Sequence, residues 1–268
     1  MSGVPRKILM LHGYSQNAII FSKRLGALRK SLGKEIELVF VDGQTVLHPI
    51  DLVGLSFPTT SLDALGAPEA SAADSDPSLT PRAWWRSNPE RTVAHGLDES
   101  LLMLKEVLKR DRFDGVFGFS QGAAMAALLA ALLERPHLYP PFLVDGQPLH
   151  PPFQFCVSVS GFRAPGALSA EVFSSPFSTP TVHVIGRTDF IVTEERSKVL
   201  LELSTNARKE EHGGGHFVPS KANWRNFFRD YFHNPGGSVA SPGTSSVTSS
   251  GAATPMTSDP ANGPNANL

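Results

Sequence analysis

Apolar positions along the chain follow two rhythms. The first is the short, dense run. "KILML" (Lys7–Leu11), "IELVFVDG" (Ile36–Gly43), "FDGVFGF" (Phe113–Phe119), "FQFCVSVSG" (Phe153–Gly161) and "TPTVHVIG" (Thr179–Gly186) are of this kind. Runs this short, ending at turn residues, predict buried strands. The second rhythm spaces apolar residues three or four apart. Ser15–Leu32 carries Ile19, Ile20, Leu25, Leu28 and Leu32, and His95–Arg110 carries Leu97, Leu101, Leu104 and Leu108. These stretches predict helices, as do Gln121–Glu134, Glu194–Ser204 and Lys221–Phe232. Strands separated by helices pair in parallel and are covered on both sides. The pattern predicts an α/β fold, a mostly parallel doubly wound sheet with helices on both faces. Sites in such sheets sit at the carboxyl ends of the strands.

Two stretches follow neither rhythm. Residues 43–81 include "GAPEASAADSDPSLTP" and are rich in small and polar residues. A loop this long inside a domain is often a lid or binding loop. In one of two readings its apolar part, Leu52–Leu65 with Leu55, Phe57 and Leu62, folds over a site as a lid; in the other there is no such lid. After His233 the chain becomes Gly, Ser, Thr, Pro, Ala and Asn with almost no large apolar residue. Such a segment cannot offset its ordering entropy. The expected organisation is one domain over residues 1–233, with the insertion at about 43–81, and a disordered tail over 234–268.

Composition narrows the function classes. The 268 residues are 41% apolar and carry a net charge of −1. That supports a sizeable core, and one domain of roughly 200–250 residues. Near-neutral charge without a basic run argues against nucleic acid as a partner. The one cysteine, Cys156, sits in a predicted strand and excludes an internal disulfide framework. The first residues hold only a five-residue apolar run, too short for a signal-peptide core, and no stretch approaches the ~20 apolar residues of a membrane span. A soluble protein of the cytoplasm is expected, the nucleus being also open, with no membrane partner.

The chemistry centres on "GFSQG", Gly118 to Gly122, which matches Gly-x-Ser-x-Gly between a predicted strand and a predicted helix. A serine on such a sharp turn needs glycines two residues to either side, because side chains there clash. The small residues Ala123, Ala124, Ala126 and Ala127 let the next helix lie close to the sheet. Its N-terminus points positive charge at Ser120, where an oxyanion would form. A nucleophilic serine needs a base and an orienting acid, which follow it in chain order on this kind of turn. Asp189 lies three residues beyond the Gly186 that ends a predicted strand. Glu194 and Glu195 compete for the role but read as the start of a helix. His216 lies in "EEHGGGHFVP", where glycines leave room for an imidazole. His212 is its competitor, but precedes the glycine run and reads as a strand end.

An oxyanion hole needs two backbone N–H donors. Gln121 follows the nucleophile and supplies one. The loop after the first strand, "LHGYSQN", supplies the other, with Tyr14 preferred over Ser15. His12 reads as a residue that shapes this loop. The pair Trp84–Trp85 in "RAWWRSN" has two readings: both tryptophans pack in the core, or one lines the substrate pocket. No histidine spacing suits a metal, and one cysteine cannot build a zinc site, so no metal and no cofactor are expected.

The motifs "LHGYSQN", "RAWW", "GFSQGAA", "SGF", "GRTDFIVTEERSK" and "HGGGHFVP" together resemble the FSH family of serine hydrolases, from about Arg6 to Phe232. The resemblance implies a compact α/β-hydrolase and an esterase or thioesterase activity. It places the nucleophile, acid and base on Ser120, Asp189 and His216. It implies a small-molecule acyl ester or thioester as substrate, an acyl-carrier-bound chain being a further candidate, since some members release acyl chains from polyketide synthases. General short-chain carboxylesterase activity is an alternative. A catalytically silent acyl-binding protein of the same fold is another.

Overall fold

The computed structural model describes residues 4–48, 51 and 76–243. The candidate lid over Leu52–Leu65 and residues 244–268 of the expected tail lie outside the described residues.

Six strands form one parallel sheet. In chain order they are β1 (Arg6–Leu11), β2 (Ile36–Val41), β3 (Gly115–Phe119), β4 (Phe155–Val159), β5 (Thr181–Gly186) and β6 (Ala207–His212). Their spatial order is β6-β5-β4-β3-β1-β2, every neighbour parallel. The order reverses at β1: the chain moves outward to β2, then returns to place β3 on the other side. A crevice opens at such a reversal, outside the carboxyl ends of the strands.

Strand alternation explains the two cores. Leu9, Leu11, Val116 and Cys156 face one layer, which holds the helices α3 (Leu97–Arg110) and α4 (Gln121–Glu134). Ile8, Met10, Phe117, Val157 and Val182 face the other. That second layer holds α1 (Ala18–Arg24), α2 (Gly26–Ser31) and the last helix α7 (Ala222–His233). Successive side chains of a strand point to opposite faces, so strands covered on both sides read as continuous apolar runs. Helix α4 is buried from Gln121 to Leu133. A helix apolar all round, with alanine on most faces, is one that lies inside a protein. Two shorter helices, α5 (Ala167–Val172) and α6 (Glu194–Glu202), complete the layer beside α4. Among the described residues no helix is long and apolar enough to cross a membrane.

Three differences from the sequence reading have local causes. The helix expected over Ser15–Leu32 is two helices, broken at Leu25 (φ −90°, ψ 12°) just before Gly26. The strand β6, "ARKEEH", carries four charged residues and lacks an apolar run. It is the edge of the sheet, where charges protect the unpaired side. The packed chain also runs past His233. Arg208 Nη2 donates to the Val239 carbonyl at 2.8 Å, Asn223 Nδ2 donates to the Pro242 carbonyl at 2.6 Å, and Ser241 Oγ donates to Glu210 at 2.8 Å. The contacts of the packed chain reach Pro242.

Candidate active site

Ser120 sits between β3 and α4 with φ 54° and ψ −118°, a backbone conformation that L side chains rarely adopt. Its surroundings hold it there. The Ser120 amide donates to the Val159 carbonyl of β4 at 2.8 Å. A Cβ at Gly118 would stand 2.1 Å from the Gly122 carbonyl oxygen, and one at Gly122 would stand 2.2 Å from the Leu11 carbonyl oxygen. Both distances lie far inside van der Waals contact, so the two glycines let α4 approach β1 and close the turn.

Asp189 and His216 arrive from the ends of β5 and β6. His216 Nε2 lies 2.9 Å from Ser120 Oγ, and His216 Nδ1 lies 2.7 Å from Asp189 Oδ2. All three residues are buried. An ionised carboxylate only accepts hydrogen bonds, so Nδ1 carries the ring proton and Nε2 accepts from the serine hydroxyl. The other oxygen of Asp189 accepts from the Ile191 and Val192 amides at 3.0 and 2.9 Å. Burial pushes the Asp189 carboxyl upward, but the hydrogen bond and charge of His216 and the Val192 amide outweigh it. The net effect holds it below the ordinary carboxylate value. The Phe119 ring packs on the imidazole with centroids 4.9 Å apart.

The loop after β1 is braced from several sides. His12 Nε2 accepts from the Gly43 amide at 2.8 Å, and His12 Nδ1 is 2.7 Å from the Gly13 carbonyl. An amide only donates, so Nε2 is unprotonated and the Nδ1 proton goes to Gly13. Burial lowers this histidine to about 4 and keeps it neutral. The Gly13 amide donates to Gln16 Oε1 at 3.1 Å, and Asn17 caps α1 through the Ile20 amide at 2.8 Å. Tyr14 faces the cavity beside Ser120, with its hydroxyl donating to the Asp51 carbonyl at 3.3 Å. The Gln121 amide opens α4, among the first N–H groups of a helix, which have no intrahelical acceptor.

The two tryptophans part company. Trp84 is fully buried and donates from Nε1 to the His12 carbonyl at 2.8 Å. It braces the β1 loop and is not a wall of the cavity. Trp85 lines the cavity, packed edge-on against Phe162 at 6.3 Å. The Gln121 side chain holds the pair, accepting from the Trp84 amide and donating to the Trp85 carbonyl, each at 2.9 Å.

The cavity above Ser120 measures about 440 Å³. Besides the residues named it is walled by Ile191, Val192 and three arginines, Arg91, Arg163 and Arg196. Sequence reading missed this wall. Two of the arginines lie on separate loops and the third on a helix, and no spacing connects them. His212, the competing histidine, ends β6 and packs against Trp224 and Phe217. Among the described residues no group of three or more His, Cys, Asp or Glu side chains is placed to hold a metal ion.

A parallel six-stranded sheet with a serine at the strained strand-to-helix turn after its third strand defines an α/β-hydrolase. Residues 1–228 match the model of the family described as serine hydrolase (FSH1), and the chain belongs to that family. It is a serine hydrolase by family. The sequence is 35% identical over 242 residues to Esterase OVCA2 of Danio rerio, covering 86% of this chain and 98% of that one. It is 31% identical to Esterase AGAP003155 of Anopheles gambiae, covering 85% and 77%. In fold it is similar to acyl-protein thioesterase 2 of Zea mays, with a TM-score of 0.55 at 17% identity, over 85% of this chain and 93% of that one.

Proposed function

We propose that Ser120, His216 and Asp189 act as nucleophile, base and orienting acid in hydrolysis of a carboxylic ester or acyl thioester. The observation that carries this reading is the unbroken hydrogen-bond line from Ser120 Oγ through the imidazole to Asp189 Oδ2. His216 Nε2 takes the serine proton as Oγ attacks the acyl carbonyl, and Asp189 stabilises the imidazolium that forms. The Tyr14 and Gln121 amides receive the oxyanion. The imidazolium then returns the proton to the departing alcohol or thiol. Water, deprotonated by the same imidazole, cleaves the acyl-enzyme and frees Ser120. Trp85 and Phe162 supply the apolar wall against which an acyl chain lies; Trp84 positions the β1 loop.

The strained Ser120 backbone, worth about 1–3 kcal/mol, supports a reactive serine over a silent acyl-binding role. Two measurements test the proposal. A fluorophosphonate probe should label the native protein and not the Ser120→Ala variant. A panel of short esters, acyl thioesters and acyl-carrier-bound chains should then separate general esterase activity from release of carrier-bound acyl or polyketide chains. Labelling that persists in Ser120→Ala would remove Ser120 from the role.

A further inference from the structure

The proposed chemistry leaves the three arginines of the cavity without a task. Arg91, Arg163 and Arg196 come from the turn after Asn88, the loop after β4 and the helix α6. None of the three is ion-paired to a carboxylate among the described residues. The one acidic residue lining the same cavity, Asp51, is already engaged: Arg86 grips it through Nε and Nη2, both at 3.0 Å. The cavity therefore carries an excess of positive charge beside an apolar wall.

The Arg196 side chain and the backbone at Arg91 are also held in place. Arg196 lies over the Phe162 ring, 4.5 Å from its centroid, and donates from Nη1 to the Ile191 carbonyl at 3.0 Å. Its remaining N–H groups are left for another acceptor. Arg91 has a positive φ of 54° in a turn fixed by Asn88, whose Oδ1 accepts from the Thr92 and Val93 amides at 2.8 Å each. Burial, and after it the like charge of Arg91, lowers Arg196 from its ordinary value, against the smaller opposite effect of the Asp189 charge. An arginine nonetheless stays charged, so an arriving anion would relieve a repulsion as well as form hydrogen bonds.

We infer that the preferred substrate carries a carboxylate or phosphate away from the scissile carbonyl, and that Arg91, Arg163 and Arg196 bind it. The inference rests on Ser120 being the nucleophile and deepens that reading by naming the substrate's charge. The anion can belong to the acyl chain, as in a half-ester of a dicarboxylic acid, or to the leaving group, as in a phosphopantetheine-type thioester.

Two matched substrate pairs test it. On the acyl side, mono-4-nitrophenyl adipate is compared with 4-nitrophenyl hexanoate. On the leaving side, hexanoyl-coenzyme A is compared with the hexanoyl thioester of N-acetylcysteamine. In at least one pair kcat/KM should favour the anion by about 10-fold to 100-fold, the worth of one charge-assisted hydrogen bond. The pair that shows it locates the charge. The advantage should shrink as salt is raised. In the double variant Arg91→Glu/Arg163→Glu the ratio should invert toward the neutral member, which a general loss of folded enzyme cannot produce. Arg196→Gln should reduce the ratio chiefly through KM. Equal kcat/KM within threefold in both pairs, or an unchanged ratio in the double variant, would overturn the inference. A protein that hydrolyses neither neutral substrate and takes no fluorophosphonate label would instead overturn the serine-nucleophile reading, and this inference with it.

Discussion

The two ends of the sheet each hold a cavity among the described residues, and the line from Ser120 through His216 to Asp189 opens on one of them. At the amino ends of the strands a hollow of about 550 Å³ is lined by Arg6, Lys7, Asp111 and Asp114 among others. At the carboxyl ends the hollow above Ser120 is about 440 Å³. Both are rich in charge. At the amino end Lys7 Nζ pairs with Asp111 at 2.5 Å, the Lys7 amide donates to Asp114 at 3.0 Å, and Arg6 donates to the His233 carbonyl at 2.9 Å. Those groups are occupied with one another and tie the chain's start to β3 and α7. At the carboxyl end the arginines lack carboxylate partners among the described residues, and a serine is held against its conformational preference. What distinguishes a site is groups left uncompensated by the protein itself, rather than volume.

The largest expected break in that comparison is Ser120→Ala. Turnover should fall by about 10⁶, with the melting temperature not lowered, because the substitution removes only a hydroxyl. His216→Ala should match it, and Asp189→Asn should be milder. A residual activity within tenfold of the parent would contradict the proposed role. Replacing Asp111 by Asn at the other end should leave kcat/KM unchanged and move the melting temperature by no more than about 2 °C, as expected of an exposed ion pair.

Gly122→Ala should come next. Its Cβ would meet the Leu11 and His12 carbonyls at 2.2 and 2.4 Å, so α4 must shift from β1. A destabilisation of about 1–3 kcal/mol is expected, with a larger loss of activity than of stability because Ser120 moves with the helix. Chemical denaturation beside an ester assay would show it.

The pH profile sharpens the picture further. His12 and His183 are each lowered by burial to about 4. Their unfolded forms protonate near 6.5, so the unfolded state binds more protons as pH falls from about 6.5 to 4. Stability is therefore present above 6.5 and declines through that window, by up to about 1.4 kcal/mol per unit for each histidine. Asp189, held below its ordinary value, adds a loss only in more acid solution, as pH falls from about 4 through its folded value. His12→Gln should remove the His12 share of the first window and leave that of His183, measured as melting temperature against pH.

The smallest effect concerns the chain's far end. Ending the chain at His233 removes the bonds to Val239, Ser241 and Pro242, and should lower the melting temperature by a few degrees, equivalent to about 1 kcal/mol. Ending it at Gly243 spares those bonds, and comparing the two melting curves isolates them.

Much of this molecule was legible residue by residue because the signals are local. Apolar runs marked five of the six strands, since a strand covered on both faces needs no polar alternation. "GFSQG" marked the serine turn, because only glycine fits where two backbones nearly touch. Chain order and the loop glycines singled out Asp189 and His216, which the fold brings to within 2.7 and 2.9 Å of their neighbours. The strand β6 escaped an apolar-run reading because an edge strand is stabilised by one neighbour and by charge. Residues 234–243 read as tail because their contacts are backbone carbonyls and a serine hydroxyl, which leave no mark in hydrophobicity. Which tryptophan faces the cavity depended on how Gln121 clamps both backbones. The arginine wall is the clearest case. Arg91, Arg163 and Arg196 share no periodicity, and a lone arginine in a polar loop looks like any solvated one. Only the convergence of two loops and a helix at the carboxyl ends of the sheet, with Asp51 already taken by Arg86, makes them one positive surface. Charge compensation is a sum over neighbours in space, and the sequence orders neighbours along the chain alone.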